Sequence, residues 1–374
     1  VKSLFLTVWW SEELTPRDRV IAVFKGLKPD KVPWQPRLHH WYAVNKKLGT
    51  LPAKYRDAGI LEVYDDLKAS PRSYHFFNAT IRIVQGGDVK VKTWEDEFTI
   101  STKYETPKGS LREMQRKTEH GIASYHIEYP VKSVEDLLIL AYVIGHQSFE
   151  FDMPLYEAAR REVGERAEPI VSVPHLPIQR LIIYYMGFKA TVQALWKYPD
   201  KVEDFLSILD LSDDIRFKIV GSSPIRIVNF GDNIHHDLVS PPWFRKYVLP
   251  YYWRRTRELH EVGKYCTSHW DGRVGKLLSY VRQTGLDGIE CLTPQPQGDV
   301  TLEEMKEALG DMVLIDGLPA THFLPQVSNA ELKAFAEKVL MMFSPRLILG
   351  VSDMLPPGGD IEKIRLISEM VEAF

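Results

Sequence analysis

From about residue 165 the chain repeats one unit. A short β-branched run ends in polar or small residues and is followed by a segment whose apolar residues recur three and four apart. The runs are EPIVSVPH (168–175), IRIVNFGDN (225–233), KYCTSHWDG (264–272), LDGIECL (286–292), MVLIDGL (312–318) and RLILGVSD (346–353). Strands separated by helix-length segments cannot close as hairpins, so the alternation calls for a parallel sheet with crossover helices. One such segment, PWFRKYVLPYYWRRTRELHEVG, keeps helical spacing until Gly263 supplies a stop. KVPWQPR (31–37) adds an upstream strand, and the count predicts an α/β fold, a TIM (β/α)8 barrel.

Residues 80 to 130 depart from this rhythm. They alternate apolar and polar residues, with turn signals at Gly86-Gly87 and at Pro107-Lys108-Gly109, which predicts an antiparallel β meander inserted near the barrel mouth. The chain holds 374 residues without repeats, low-complexity tracts or long linkers, so it reads as a single domain spanning 1–374.

Composition narrows the partners. Lys and Arg number 47 against 50 Asp and Glu, with no long run of either sign, which argues against a nucleic-acid backbone or an anionic membrane. No stretch approaches the length of a membrane span, and the apolar start VKSLFLTVWW is too short and too soon acidic for a signal peptide. Two cysteines, Cys266 and Cys291, cannot build a disulfide framework, so a reduced, cytoplasmic setting is expected.

In a barrel of this type chemistry sits where the strands end. Those ends carry Arg37, His39 and His40, then His175, Asp232 and Asn233, His269 and Asp271, Glu290, Asp316 and Asp353. An imidazole with two or three carboxylates on neighbouring strands forms a nitrogen–oxygen set suited to zinc, here His269, Glu290 and Asp353, with Asp271 as a further donor. The bland alternative is a solvated mouth of capping residues. Cys291 is read as a core thiol, because alternation along a strand turns it away from Glu290. RLHHWY (37–42) offers His40, Trp41 and Tyr42, together with the stretch from Tyr74 to Phe77, as a wall for a flat ligand, with Phe76, Asp232 and His236 as substrate contacts. Phosphate-binding glycine loops are absent, since VQGGDVK falls in the hairpin region.

Four segments carry a resemblance. RDRVIAVFKGLKPDKVPWQPR, NFGDNIHHDLVSPPWFRKYVLPYYWRRTRELHEVG, GLDGIECLTPQPQGDVTLEEMKEALGDMVLIDGLPA and ILGVSDMLPPGGDIEKIRLISEMVE, in that order, resemble the uroporphyrinogen decarboxylase superfamily over about residues 15–374. The decarboxylase branch carries an arginine-rich RQAGRY-type stretch for porphyrinogen carboxylates. Here the place reads PRLHHWY with Arg37 alone, so that substrate is not expected.

The other branch contains zinc methyltransferases that work with corrinoid proteins. Its coenzyme M members carry His-x-Cys and a distal Cys. His269 matches the histidine, while Asp271 and Asp353 stand where the thiolates would be. Carboxylates make a harder, more Lewis-acidic site that favours oxygen ligands. The resemblance therefore implies an aryl methyl ether O-demethylase: Zn2+ as cofactor, a methoxylated aromatic as methyl donor, and a corrinoid (cobalamin) carried by a partner protein as acceptor. Its rivals are a methylcorrinoid-to-acceptor methyltransferase, a decarboxylase of a smaller substrate, and a barrel that only binds. The oligomeric state is left open, a homodimer included.

Overall fold

The computed structural model describes residues 13–119 and 121–374; the apolar start VKSLFLTVWW lies outside them. An antiparallel pair joins β1 (Ile81–Gln85) to β6 (Gln147–Phe151), and between them β2 (Lys90–Glu95), β3 (Thr99–Thr106), β4 (Gly109–Lys117) and β5 (Ser124–Glu128) form a four-stranded antiparallel sheet. The meander is thus present, but its first strand belongs to a separate ribbon and the excursion runs on to Phe151. Pro107 and Lys108 make the two-residue loop between β3 and β4, with Thr106 paired to Gly109. The inserted sheet buries Leu111 and packs Tyr104 against the main core.

The six runs of the second half all become parallel strands: β7 (Ile170–Val173), β8 (Ile227–Phe230), β9 (Tyr265–His269), β10 (Gly288–Glu290), β11 (Val313–Pro319) and β12 (Leu347–Ser352), adjacent in chain order. Their β-branched content suits strands covered on both faces. Beyond β12 the upstream run adds only a bridge, Trp34 to Leu349, fixed by hydrogen bonds from Gln35 N to Leu349 O and from Leu349 N to Pro33 O. The last place in the ring falls to residues 69–73. Ser70 N donates to Trp34 O, while Ser73 Oγ donates 2.5 Å to Glu168 O and accepts from Ile170 N at 3.0 Å. A serine hydroxyl therefore takes the place of a backbone ladder at that joint. The barrel closes by contact, not by a continuous sheet.

Two apolar layers follow from strand alternation. Inside the ring, Ile170, Ile227, Val313, Ile315 and Ile348 meet Val20, Ile21, Val23 and Phe24 of the helix Pro16–Phe24, which plugs the end where the strands start. Outside it, residues such as Val171, Val228, Cys266 and Ile289 pack under the helices. With one end plugged, polar groups collect at the other. Among the described residues no helix is long and apolar enough to cross a membrane.

Candidate metal centre at the strand ends

Register brings the polar residues together. His269 closes β9, Glu290 closes β10, and the two are directly paired, so their side chains leave at one level. His269 Nδ1 lies 3.0 Å from Glu290 Oε1. The other Glu290 oxygen accepts from Arg72 Nη1 at 2.7 Å and Asn229 Nδ2 at 3.3 Å. Arg72 also donates 2.6 Å to Asp316 Oδ1. Gly350 on β12 is what admits this aspartate: a Cβ there would lie 2.3 Å from Asp316 Oδ1 and 3.0 Å from Gln35 O.

The imidazole's second nitrogen faces the other way. His269 Nε2 is 3.7 Å from Asp353 Oδ1, and Arg37 Nη1 holds that oxygen at 2.5 Å while standing 3.5 Å from Glu290. Donor atoms of His269, Cys291 and Asp353 all lie within 4.8 Å of one another. Alternation placed the Cys291 thiol on the far face; the structure does not. Cys291 has φ +68°, a left-handed conformation that ends the strand pattern and turns the thiol toward the cluster.

Burial and charge set the protonation states. Burial works against the Glu290 carboxylate, but Arg72, the bond from His269 and Arg37 together hold it below the usual glutamate range. Burial disfavours the His269 imidazolium, and the bond to Glu290 reverses this, raising its pKa. Burial and then the nearby Asp353 carboxylate keep the Cys291 thiol protonated. The Cys291 proton sits where a divalent cation would displace it, while the bond to Glu290 keeps a proton on His269 Nδ1 and leaves Nε2 facing Asp353. An imidazole, a thiol and a carboxylate are donors that zinc accepts, so the residues present fit that metal.

Other expected contacts are redistributed. Trp41 is buried, with Nε1 donating 3.1 Å to Gly359 O, and Tyr42 donates 2.6 Å to Ala58 O, so both serve the packing of helix His39–Leu48. His40 is half-buried on the same turn, whereas its neighbour His39 stacks on His75 with ring centroids 4.3 Å apart and meets Phe76 edge-on at 5.5 Å. Burial, then the neighbouring charges, drop His39 to about 3 and His75 to about 4. Across the mouth His175, likewise lowered to about 4 by burial, bonds Tyr184 Oη at 2.9 Å. Asp271 caps its own turn, accepting from Gly272 N at 2.7 Å. His236 is buried 3.7 Å from Asp237 and 3.9 Å from Asp299.

Asp232 lies in the wall behind the mouth, fully buried, accepting from Tyr252 Oη and Leu176 N at 2.7 Å each. Burial pushes its pKa up to about 6. The folded protein therefore binds a proton more tightly there than the unfolded chain, and stability falls as pH rises between roughly 4 and 6, then levels off. Asp232→Asn is expected to flatten that limb in urea titrations run across this range; an unchanged limb would show that the carboxyl is not so perturbed.

Arg72 and Asn229 did not emerge from the sequence as site residues, whereas the stretch from Tyr74 to Phe77 was expected in the ring-binding wall. Tyr74 is buried with its ring 5.5 Å from the Arg37 guanidinium carbon.

A sequence profile of the family described as uroporphyrinogen decarboxylase (URO-D) matches residues 127–374, two thirds of the chain and every ladder strand of the barrel. The chain belongs to the uroporphyrinogen decarboxylase family. Solved structures agree on the fold. A methyltransferase from Methanosarcina mazei superposes with a TM-score of 0.59 at 16% identity, covering 97% of this chain and 99% of that one. A B12-independent methionine synthase from Shewanella sp. W3-18-1 gives 0.50 at 10% identity, covering 92% and 98%. Comparison with curated protein sequences returned no match.

Proposed function

We propose that this barrel is a zinc-dependent methyltransferase that takes a methyl group from a methoxylated aromatic and passes it to a corrinoid carried by a separate protein. One observation carries the reading: His269, Cys291 and Asp353 present nitrogen, sulfur and oxygen donors within 4.8 Å at the open end of the barrel. Zinc bound there would supply Lewis-acid polarisation of the ether oxygen, making phenolate a better leaving group.

The chain's own residues do the positioning. Glu290, fixed by Arg72 and Asn229, orients the His269 ring and directs Nε2 toward Asp353. Arg37 competes with a metal for Asp353, so loading requires that ion pair to loosen. His39, His75 and Phe76 form an aromatic wall, and the lowered histidine pKa values keep it neutral at pH 7, suited to the face of an uncharged ring. The fold similarity to the Methanosarcina methyltransferase supports the class without fixing the donor.

The direct assay supplies zinc-loaded protein with a methoxybenzoate and chemically reduced cobalamin, following the hydroxybenzoate by chromatography and methylcobalamin by absorbance. Equal yields of both, absent in His269→Ala, are expected. A parallel assay with methylcobalamin and an added thiol or pterin, in which the acceptor is methylated and cob(I)alamin released while the methoxybenzoate stays intact, would instead favour transfer from a methylcorrinoid. A metal-independent decarboxylase of a small carboxylate would release CO2 from protein treated with chelator, but Arg37 and Arg72 are each already engaged by internal carboxylates, which disfavours that reading.

A further inference from the structure

The same strand that ends in His269 begins beside a second group of donors. His260 ends the helix Leu249–His260, which packs on β9; Cys266 is the second residue of β9; Asp287 lies in the loop leading into β10. Their donor atoms lie within 4.8 Å of one another. Cys266 is fully buried in the layer between strands and helices, whereas His260 and Asp287 have side chains 39% and 29% exposed. Asp287 Oδ2 already accepts from Cys266 N at 2.7 Å and stands 2.8 Å from His260 Nε2, so strand, loop and helix are fixed around one point.

We propose that His260, Cys266 and Asp287 form a second cation site, selective for zinc-like divalent ions, at the strand-start end of the barrel. The donor types match zinc, and three protein donors leave one position for water. A helix C-terminus adds a favourable field for a cation, because its last carbonyls point outward there. Cys266 and His269 are three residues apart on one strand, about 10 Å at the usual rise, so the two centres are separate. Seated between a helix and two strands, the lower ion would tie the crossover helix to the sheet, and it has no part in methyl transfer.

The test uses metal-free full-length protein titrated with ZnCl2 and, separately, with CoCl2. Wild type is expected to take up two equivalents per chain, and Cys266→Ser and His260→Ala one each. His260 is partly exposed, so its replacement checks the result should Cys266→Ser fail to fold. With cobalt, the thiolate charge-transfer band is expected to persist in Cys291→Ser and to vanish when Cys266→Ser is added. A cation lost only in His269→Ala, with uptake unchanged by either lower-site variant, would overturn the proposal. One equivalent that depends on Cys266 and not on His269 would uphold it while removing the zinc centre proposed at the mouth.

Discussion

Arg72→Ala is expected to be the most destabilising single change at the mouth, costing about 3–5 kcal/mol. Arg72 is buried and bridges Glu290 at 2.7 Å and Asp316 at 2.6 Å, both carboxylates buried as well. Removing the guanidinium leaves two acids without their shared cation, and the loss is that of uncompensated charge, not of a surface ion pair. A second signature follows from linkage. Glu290 is held below its unfolded pKa, so in wild type its contribution is full above that unfolded value and is lost as pH falls. The variant should show a smaller loss in acid. Urea unfolding at neutral pH reads the cost. Unfolding from about pH 4.5 downward reads the loss in acid, below the range in which Asp316, raised by burial to about 6, takes up its proton. A cost below about 1 kcal/mol would mean that the triad is solvated and contributes as an exposed pair does.

Glu290→Gln separates an orienting carboxylate from a ligand. Both oxygens of Glu290 are already taken up, one by Arg72 and Asn229 and the other by His269. Substitution should therefore weaken zinc binding by about 10–100-fold without abolishing it, the usual effect of losing the partner that fixes a ligating imidazole. Because the bond to Glu290 is what lifts the His269 pKa against burial, the imidazole proton should also leave at lower pH in the variant, observable by NMR titration of metal-free protein. Zinc affinity lost as completely as in His269→Ala would restore Glu290 to the ligand set. Unchanged affinity would remove it from the site altogether.

How far the sequence reached can be seen strand by strand. The runs behind β7 to β12 were legible because strands covered on both faces leave continuous β-branched stretches, and their polar ends named His269, Glu290 and Asp353. The segment 69–73 has no such stretch; it joins the ring through Ser70 N and the Ser73 hydroxyl, so neither the segment nor Arg72 within it could be read. Cys291 was hidden for another reason. Alternation holds only while the backbone stays extended, and a φ of +68° breaks it at the residue that matters.

Two residues expected in an aromatic wall, Trp41 and Tyr42, are taken up by packing contacts. Trp41 and Val44, three apart, mark the core face of His39–Leu48, a spacing that could have assigned Trp41 to packing and left His39 for the mouth. His75 lies within the aromatic stretch Tyr74 to Phe77 that the sequence did offer for the wall. It reaches the site because the short helix Tyr74–Phe77 follows directly on the segment 69–73.

The central claim is that His269, Cys291 and Asp353 hold one metal ion. Zinc bound per chain, measured by mass spectrometry after loading and desalting wild type, His269→Ala, Cys291→Ser and Asp353→Ala in parallel, tests it most directly. Each variant is predicted to carry one equivalent less than wild type. Three variants that retain the wild-type complement would contradict the account and leave a metal-free barrel mouth.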